Sequence, residues 1–205
     1  MRIMRTRILS CLLAALTVAS HGPQLLSQAA NPDQVPEVNR NYKLLREDED
    51  WSFLKDPKLR KDFWDPIKYI PLRRSADDWY MTMGGEAREV WEQIGNDNWG
   101  ESPYWNGYLN ERYMPYFDLH YGRHLRTFVE LKSGLNSFRR GGPRPIDEKK
   151  LDFQAAFLEV GTSSGQNSIH VRVGRQELEY GSGRLIDVRE GPNVRLSFDG
   201  FMVKS

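Results

Sequence analysis

The sequence predicts an all-β protein, the N-terminal portion of a transmembrane, antiparallel, up-and-down β-barrel of the outer-membrane kind. Three observations predict it. From Trp79 onward apolar residues recur at every second position, in runs of about ten residues. The connections between these runs alternate in length. The polar positions of the runs carry full charges rather than serine and threonine, as a wall facing an enclosed polar space requires and a wall facing bulk water does not.

The chain opens with Arg2, Arg5 and Arg7, an apolar stretch from Ile8 to Ala19 and a small-residue Ser27-Gln28-Ala29 site. This is the layout of a secretory signal peptide, here residues 1–29, cleaved after Ala29. A helix needs about 20 apolar residues to cross a bilayer, so this stretch targets the chain and does not anchor it. Cys11 is the single cysteine and lies inside the stretch, with Leu12 to Leu16 continuing it. The mature chain therefore has no thiol, no disulfide and no cysteine-bound metal.

Residues 30–77 are polar and punctuated by proline, and read as an N-terminal periplasmic arm with one or two helical turns. Asp56-Pro57 marks a helix start. The acidic run Glu47-Asp48-Glu49-Asp50 reads as a solvated face.

Residues 78–205 read as barrel wall. In the first candidate strand Trp79, Met81, Met83, Gly85, Ala87 and Trp91 oppose Thr82, Glu86, Arg88 and Glu92. The second sets Leu109, Tyr113, Phe117, Leu119 and Tyr121 against Asn110, Arg112, Asp118 and His120. In the third, Leu125, Val129, Leu131 and Leu135 oppose Arg126, Glu130 and Lys132. The fourth places Leu151, Phe153, Ala155 and Phe157 against Asp152 and Gln154, and the fifth Ile169, Val171 and Val173 against His170 and Arg172. A sixth begins at Val194, with Leu196, Phe198 and Met202 opposing Arg195, Ser197 and Asp199. Glu89, Glu111 and Glu159 fall on the apolar side of this scheme.

The connections at 94–107, 136–150 and 181–193 are long and are expected outside the cell, whereas residues 122–124 and 161–167 are short and expected in the periplasm. Aromatic residues gather near strand ends, as at Trp79, Tyr80, Trp105, Tyr108 and Tyr121, where membrane-interface girdles belong. With 29 basic and 28 acidic side chains the chain carries a net charge of +1, and no bulk attraction to nucleic acid follows. Past residue 29 no apolar stretch is long enough for a membrane-spanning helix.

The run Gly174-Arg175-Gln176-Glu177-Leu178, through Tyr180-Gly181-Ser182-Gly183-Arg184-Leu185 and Arg189-Glu190-Gly191-Pro192-Asn193-Val194-Arg195 to Phe198-Asp199-Gly200, resembles the alginate export family. Asp65-Pro66-Ile67-Lys68-Tyr69-Ile70-Pro71-Leu72, Gly84-Gly85-Glu86-Ala87-Arg88 and Gly141-Gly142-Pro143-Arg144-Pro145 extend the resemblance over residues 45–205. It implies a monomeric barrel of many strands in the outer membrane of a Gram-negative bacterium, whose Arg- and Lys-lined lumen passes polyuronate. Six strands cannot enclose a sugar-sized channel, since even eight leave an interior filled by side chains. Further strands are therefore expected beyond Ser205, and assembly of several short chains is the less favoured arrangement.

A polyuronate carries one carboxylate per sugar, and arginine offers a planar fork that matches it. The substrate-path residues expected are Arg88, Arg112, Lys132, Arg175, Arg189, Arg195, Glu130 and Asp199. Arg126, Arg172 and Arg184 add further cations, while Glu86, Asp118 and Asp152 add carboxylates that hold arginines in place. Arg126, beside a short turn, reads as a wall brace. The strand pattern slips around Arg175 and Arg189, so it leaves their direction open; Gly174 reads as a bulge and this run as the constriction.

Enzyme signals are poor. Gly161-Thr162-Ser163-Ser164-Gly165 has nucleophile-elbow spacing but leads into another strand. Glu86 and Glu89 point to opposite faces, and four histidines show no metal-ligand spacing. No enzyme activity and no cofactor are expected. The leading reading is an outer-membrane pore for anionic polysaccharide such as alginate, or for related organic acids. Its expected partners are outer-membrane lipid, the barrel-assembly machinery and periplasmic export components. The alternative is a secreted soluble β-sandwich that binds or cleaves carbohydrate.

Overall fold

Alternation of period two builds strands, and the computed structural model contains one antiparallel meander. It describes residues 38–72, 79–97, 99–101, 104–164 and 167–204. The expected signal peptide and the start of the arm lie outside these residues. The strands are β1 (Ile70–Pro71), β2 (Trp79–Ile94), β3 (Asn106–Tyr121), β4 (Leu125–Ser137), β5 (Lys149–Ser164), β6 (Asn167–Gln176) and β7 (Phe198–Lys204). They form a single sheet in chain order, each strand antiparallel to the next. β2, β3 and β5 each run for 16 residues, beyond the usual three to ten of soluble strands.

The burial of this sheet is inverted relative to a soluble one. Arg112, Asp118, Glu130, Lys132 and Arg172 are buried, whereas Trp91, Phe117, Val160, Val171, Phe201 and Val203 are exposed. The charged face thus turns inward against other parts of the chain and the apolar face is left bare. A sandwich would bury the apolar face against a second sheet, and the described residues hold one sheet only.

Two aromatic clusters lie near opposite ends of the strands. Trp79 and Tyr121 meet with ring centroids 4.8 Å apart beside the short 122–124 turn. Trp91 and Phe138 meet at 6.3 Å near the long-loop end. Twelve residues separate Trp79 from Trp91 along β2, which at about 3.3 Å per residue and a tilt of roughly 40° gives about 30 Å of height. A bilayer's apolar core has that thickness.

Three features depart from the strand pattern read from sequence. The β4–β5 register shifts between Glu130 and Leu131, so the consecutive residues Gln154 and Ala155 are both buried. Beyond this bulge the faces exchange: Ala155 and Phe157 point inward, not outward as expected, Leu158 and Val160 are exposed, and Glu159 comes to the charged side beside Arg172. Gly174 marks no bulge, since the register runs through it on both sides. Its φ of +130° and the closeness of the Ala156 carbonyl exclude a side chain there. The last strand starts at Phe198 rather than Val194, and its exposed apolar residues are Phe201 and Val203. Arg195 therefore belongs to the preceding connection.

Residues 38–69 carry three short 3-10 turns and the four-residue helix α1 (Asp65–Lys68). Asp56 caps the turn that starts at Pro57 by accepting from the Lys58 amide at 2.9 Å. This segment lies against the charged face of the sheet. Glu47 and Glu49 are buried there, a correction to the solvated reading of the acidic run, while Asp48 and Asp50 stay exposed.

Candidate functional site

The charged face of β2–β6 is covered by two pieces of chain: the arm, and residues 177–197 between β6 and β7. The second piece does not extend away from the sheet as a free loop. Its Asn193 side chain donates to the main-chain carbonyls of Glu111, Leu135 and Asp147 at 2.9–3.0 Å, and the Val194 amide donates to the Ile146 carbonyl at 3.0 Å. The segment is therefore folded back over the wall, and Leu196 closes it with a 2.8 Å bond to Val188.

The cations expected in the substrate path fall into distinct environments. Arg112 of β3 is 1% exposed; its Nε and Nη2 donate to Glu86 at 2.9 and 2.6 Å, and Nη2 also meets the Glu190 carboxylate. Arg88 stands opposite Arg112 in the β2–β3 register and donates to the Glu190 carbonyl at 3.4 Å. Arg195 is 1% exposed between Glu177, at 3.1 Å, and Glu190, at 3.3 Å. It also reaches the Leu44 carbonyl of the arm at 3.2 Å, so the two covering pieces touch here. Lys132 donates to the Arg195 carbonyl at 3.2 Å. These side chains brace the folded-back segment against the wall.

Arg175 pairs with Asp199, its register partner on β7, at 2.8 Å, and reaches Asp152 at 3.4 Å. Asp199 is exposed and Arg175 half-buried, and both share the parity of the bare Val173 and Phe201 rather than that of the buried Arg172, so the expectation that they face the charged side is corrected. Arg189 has a positive φ of 57° and is exposed, between the buried Val188 and the inward-facing Glu190. Arg184 is exposed as well. Glu130 is 1% exposed, and its two carboxylate oxygens meet no hydrogen-bond partner among the described residues.

Nearer the short turns, Arg126 is held by both oxygens of Asp118, at 2.9 and 2.7 Å, as expected of a wall brace. Arg172 is held at its Nε by Glu159, at 2.8 Å. Both also bind the arm: Arg126 donates to the Glu47 carbonyl at 2.7 Å, and Arg172 to the Glu47 carboxylate. Below them Tyr116, Phe128 and Phe157 from three adjacent strands form a stack with centroids 5.4 and 5.3 Å apart. Tyr116 lies over Gly84, where an added Cβ would sit 2.7 Å from the ring. Burial pushes the Glu47 carboxyl above its usual range against the pull of Arg172, and pushes Glu177 up to about 7 against Arg195.

The sequence pattern did not disclose these arm contacts. Glu47 and Glu49 alternate with exposed Asp48 and Asp50, but no periodicity said what their partners were. The ring stack was hidden too, because Phe128 lies among the charged positions of β4 and Phe157 changes face through the bulge.

An inverted sheet of this kind is a barrel wall, and the family match agrees. The family described as alginate export matches residues 79–205, more than half of the chain. The chain belongs to the alginate export family. No curated protein and no solved structure matches it. The alginate export family comprises outer-membrane porins that export polysaccharide, which fixes the broad setting of the sheet: a partial outer-membrane β-barrel with its charged face turned from the lipid. The sequence run that carries the resemblance, residues 174–200, contains the segment 177–197 that folds back over the charged face.

Proposed function

We propose that this chain forms the wall of a pore that passes anionic polysaccharide, a polyuronate such as alginate or related organic acids, through a lumen lined by arginine and lysine. The observation that carries the reading is the inversion of the sheet, with guanidinium groups and carboxylates on the enclosed face and bare apolar residues on the other. Residues 177–197 act as the constriction. Arg112, Lys132 and Arg195 hold that segment in place, and the exposed Arg189 presents the cation that the passing chain meets. Carboxylates placed among the cations moderate affinity, since a bound ion must be able to leave. The chain works as a conduit and performs no catalysis. The arm lies on the periplasmic side of the lumen, the long connections lie outside, and assembly depends on the barrel-assembly machinery, with periplasmic export components as partners.

The test is the reversal potential of the full-length protein in planar bilayers under a salt gradient. Wild type is expected to prefer anions, and Arg189→Glu to move the preference toward cations, with the difference shrinking at high salt as the screening length falls to about 3 Å at 1 M. A folded Arg189→Glu protein with the wild-type reversal potential would remove Arg189 from the conducting path.

A further inference from the structure

The two guanidinium groups at the short-turn end are built as a seat rather than as simple braces. Asp118 takes the Nε and Nη2 of Arg126, and Glu159 takes the Nε of Arg172, so each wall carboxylate fixes the orientation of one fork. Arg126 Nη2 and Arg172 Nη1 also donate toward the arm. The rings of Phe128 and Phe157 are stacked, 15° from parallel, and the Arg172 guanidinium lies on the Phe157 ring at 3.9 Å from its centroid, so that the stack fixes the plane of this fork. Two oriented cationic forks match the carboxylate of a sugar acid.

An anionic group already occupies this seat. Glu47 comes from a three-residue turn of the arm, gives its carboxylate to Arg172 and its main-chain carbonyl to Arg126, and is 3% exposed. We propose that Arg126 and Arg172 form a binding subsite for the carboxylate of one uronate unit, and that the chain's own Glu47 fills it as a stand-in when the arm is docked. The inference rests on the polyuronate reading above and adds to it a located subsite and an internal competitor.

Two features suit a competitor that must be displaced. Two guanidinium groups and two wall carboxylates balance in charge, so the seat holds its ligand by donor geometry and releases it readily. Burial also raises the Glu47 carboxyl above its usual range, so the docked arm pays to keep that group ionised. A polyuronate entering from the short-turn end brings several carboxylates in succession and competes with one.

The experiment measures the concentration of short uronate oligomers that half-blocks the conductance of the full-length protein. Glu47→Ala is expected to lower that concentration about tenfold, because the binding-competent population is no longer reduced by the docked arm. Glu47→Gln, which keeps the side-chain volume, is read in the same way if the alanine protein loses its heat-modifiable gel shift. The gain is expected to vanish in Glu47→Ala/Arg172→Gln. A bifunctional maleimide joining Asp48→Cys to Lys204→Cys, whose native side chains meet at 3.7 Å, holds the arm docked and is expected to abolish block. An unchanged half-blocking concentration in folded Glu47→Ala, or a gain that survives Arg172→Gln, overturns the subsite while leaving the pore reading intact. A wild-type pore with no anion preference and no block by uronate overturns both.

Discussion

Arg112 and Arg189 carry the same charge but stand in opposite surroundings. Arg112 is enclosed by Glu86, Glu190 and the Pro192 carbonyl, whereas Arg189 projects from a left-handed backbone position into open space. Removing one partner from a buried charge cluster leaves the others uncompensated, so Arg112→Gln is expected to lower stability by roughly 3–5 kcal/mol, read by denaturant unfolding in detergent. Arg189→Glu is expected to leave that stability within about 0.5 kcal/mol. Asp65 provides a pH test of the arm. Burial pushes its carboxyl up, yet the Asp62 amide, Arg40 and the Lys61 amide together hold it below its ordinary 3.8. A lowered value means the stabilisation is complete above 3.8 and is lost as pH falls through the folded-state value. Amide exchange at Lys61 and Asp62, which donate to Asp65 at 2.7 and 2.8 Å, is expected to accelerate over that acidic window and to be fast at neutral pH in Asp65→Asn. Equal protection in Asp65→Asn would show that the carboxylate does not hold the turn.

Strands rather than single residues decide which side of the wall a group meets. Alternation alone placed β2, β3, β4 and β6 on the correct faces, because in these strands most charged and most apolar residues separate by parity, with Glu89, Glu111 and Phe128 as exceptions. It failed in β5, where one extra residue at Gln154–Ala155 exchanges the faces; the sign of it in the sequence, Glu159 out of phase with Ala155 and Phe157, does not say where the extra residue sits. It failed again at residues 194–197, where Val194 and Leu196 imitate a strand but bond to Ile146 and Val188 across a folded-back segment. The contribution of Gly174 belongs to β6: its φ of +130° and the adjacent Ala156 carbonyl mean that Gly174→Val is expected to cost at least about 1–3 kcal/mol and to shift the urea midpoint downward. For orientation, cysteines at His124 and Pro143 report the two ends of the strands. On intact cells a membrane-impermeant reagent is expected to label the Pro143→Cys protein and spare the His124→Cys protein; the opposite result would invert the assignment of the loops.

Across the whole molecule the charged face is covered twice, by an arm that reaches Arg126 and Arg172 and by a connection that reaches Arg88, Arg112 and Lys132, with Arg195 joining them. The sequence announced the wall through its periodicity and the family through residues 174–200. It did not announce the covering, because each covering contact joins residues far apart in the chain, as Glu47 and Arg172 do, and leaves no local signature. All of this depends on the apolar face meeting lipid and the charged face meeting the enclosed space. The most direct measurement is a nitroxide scan of β6 in the full-length protein in bilayers, with single cysteines placed in turn at residues 169 to 173. Strong oxygen and weak nickel-chelate accessibility are expected at 169, 171 and 173, and low oxygen accessibility at 170 and 172. Accessibility without this alternation, or with the two sets exchanged, would contradict that placement of the faces.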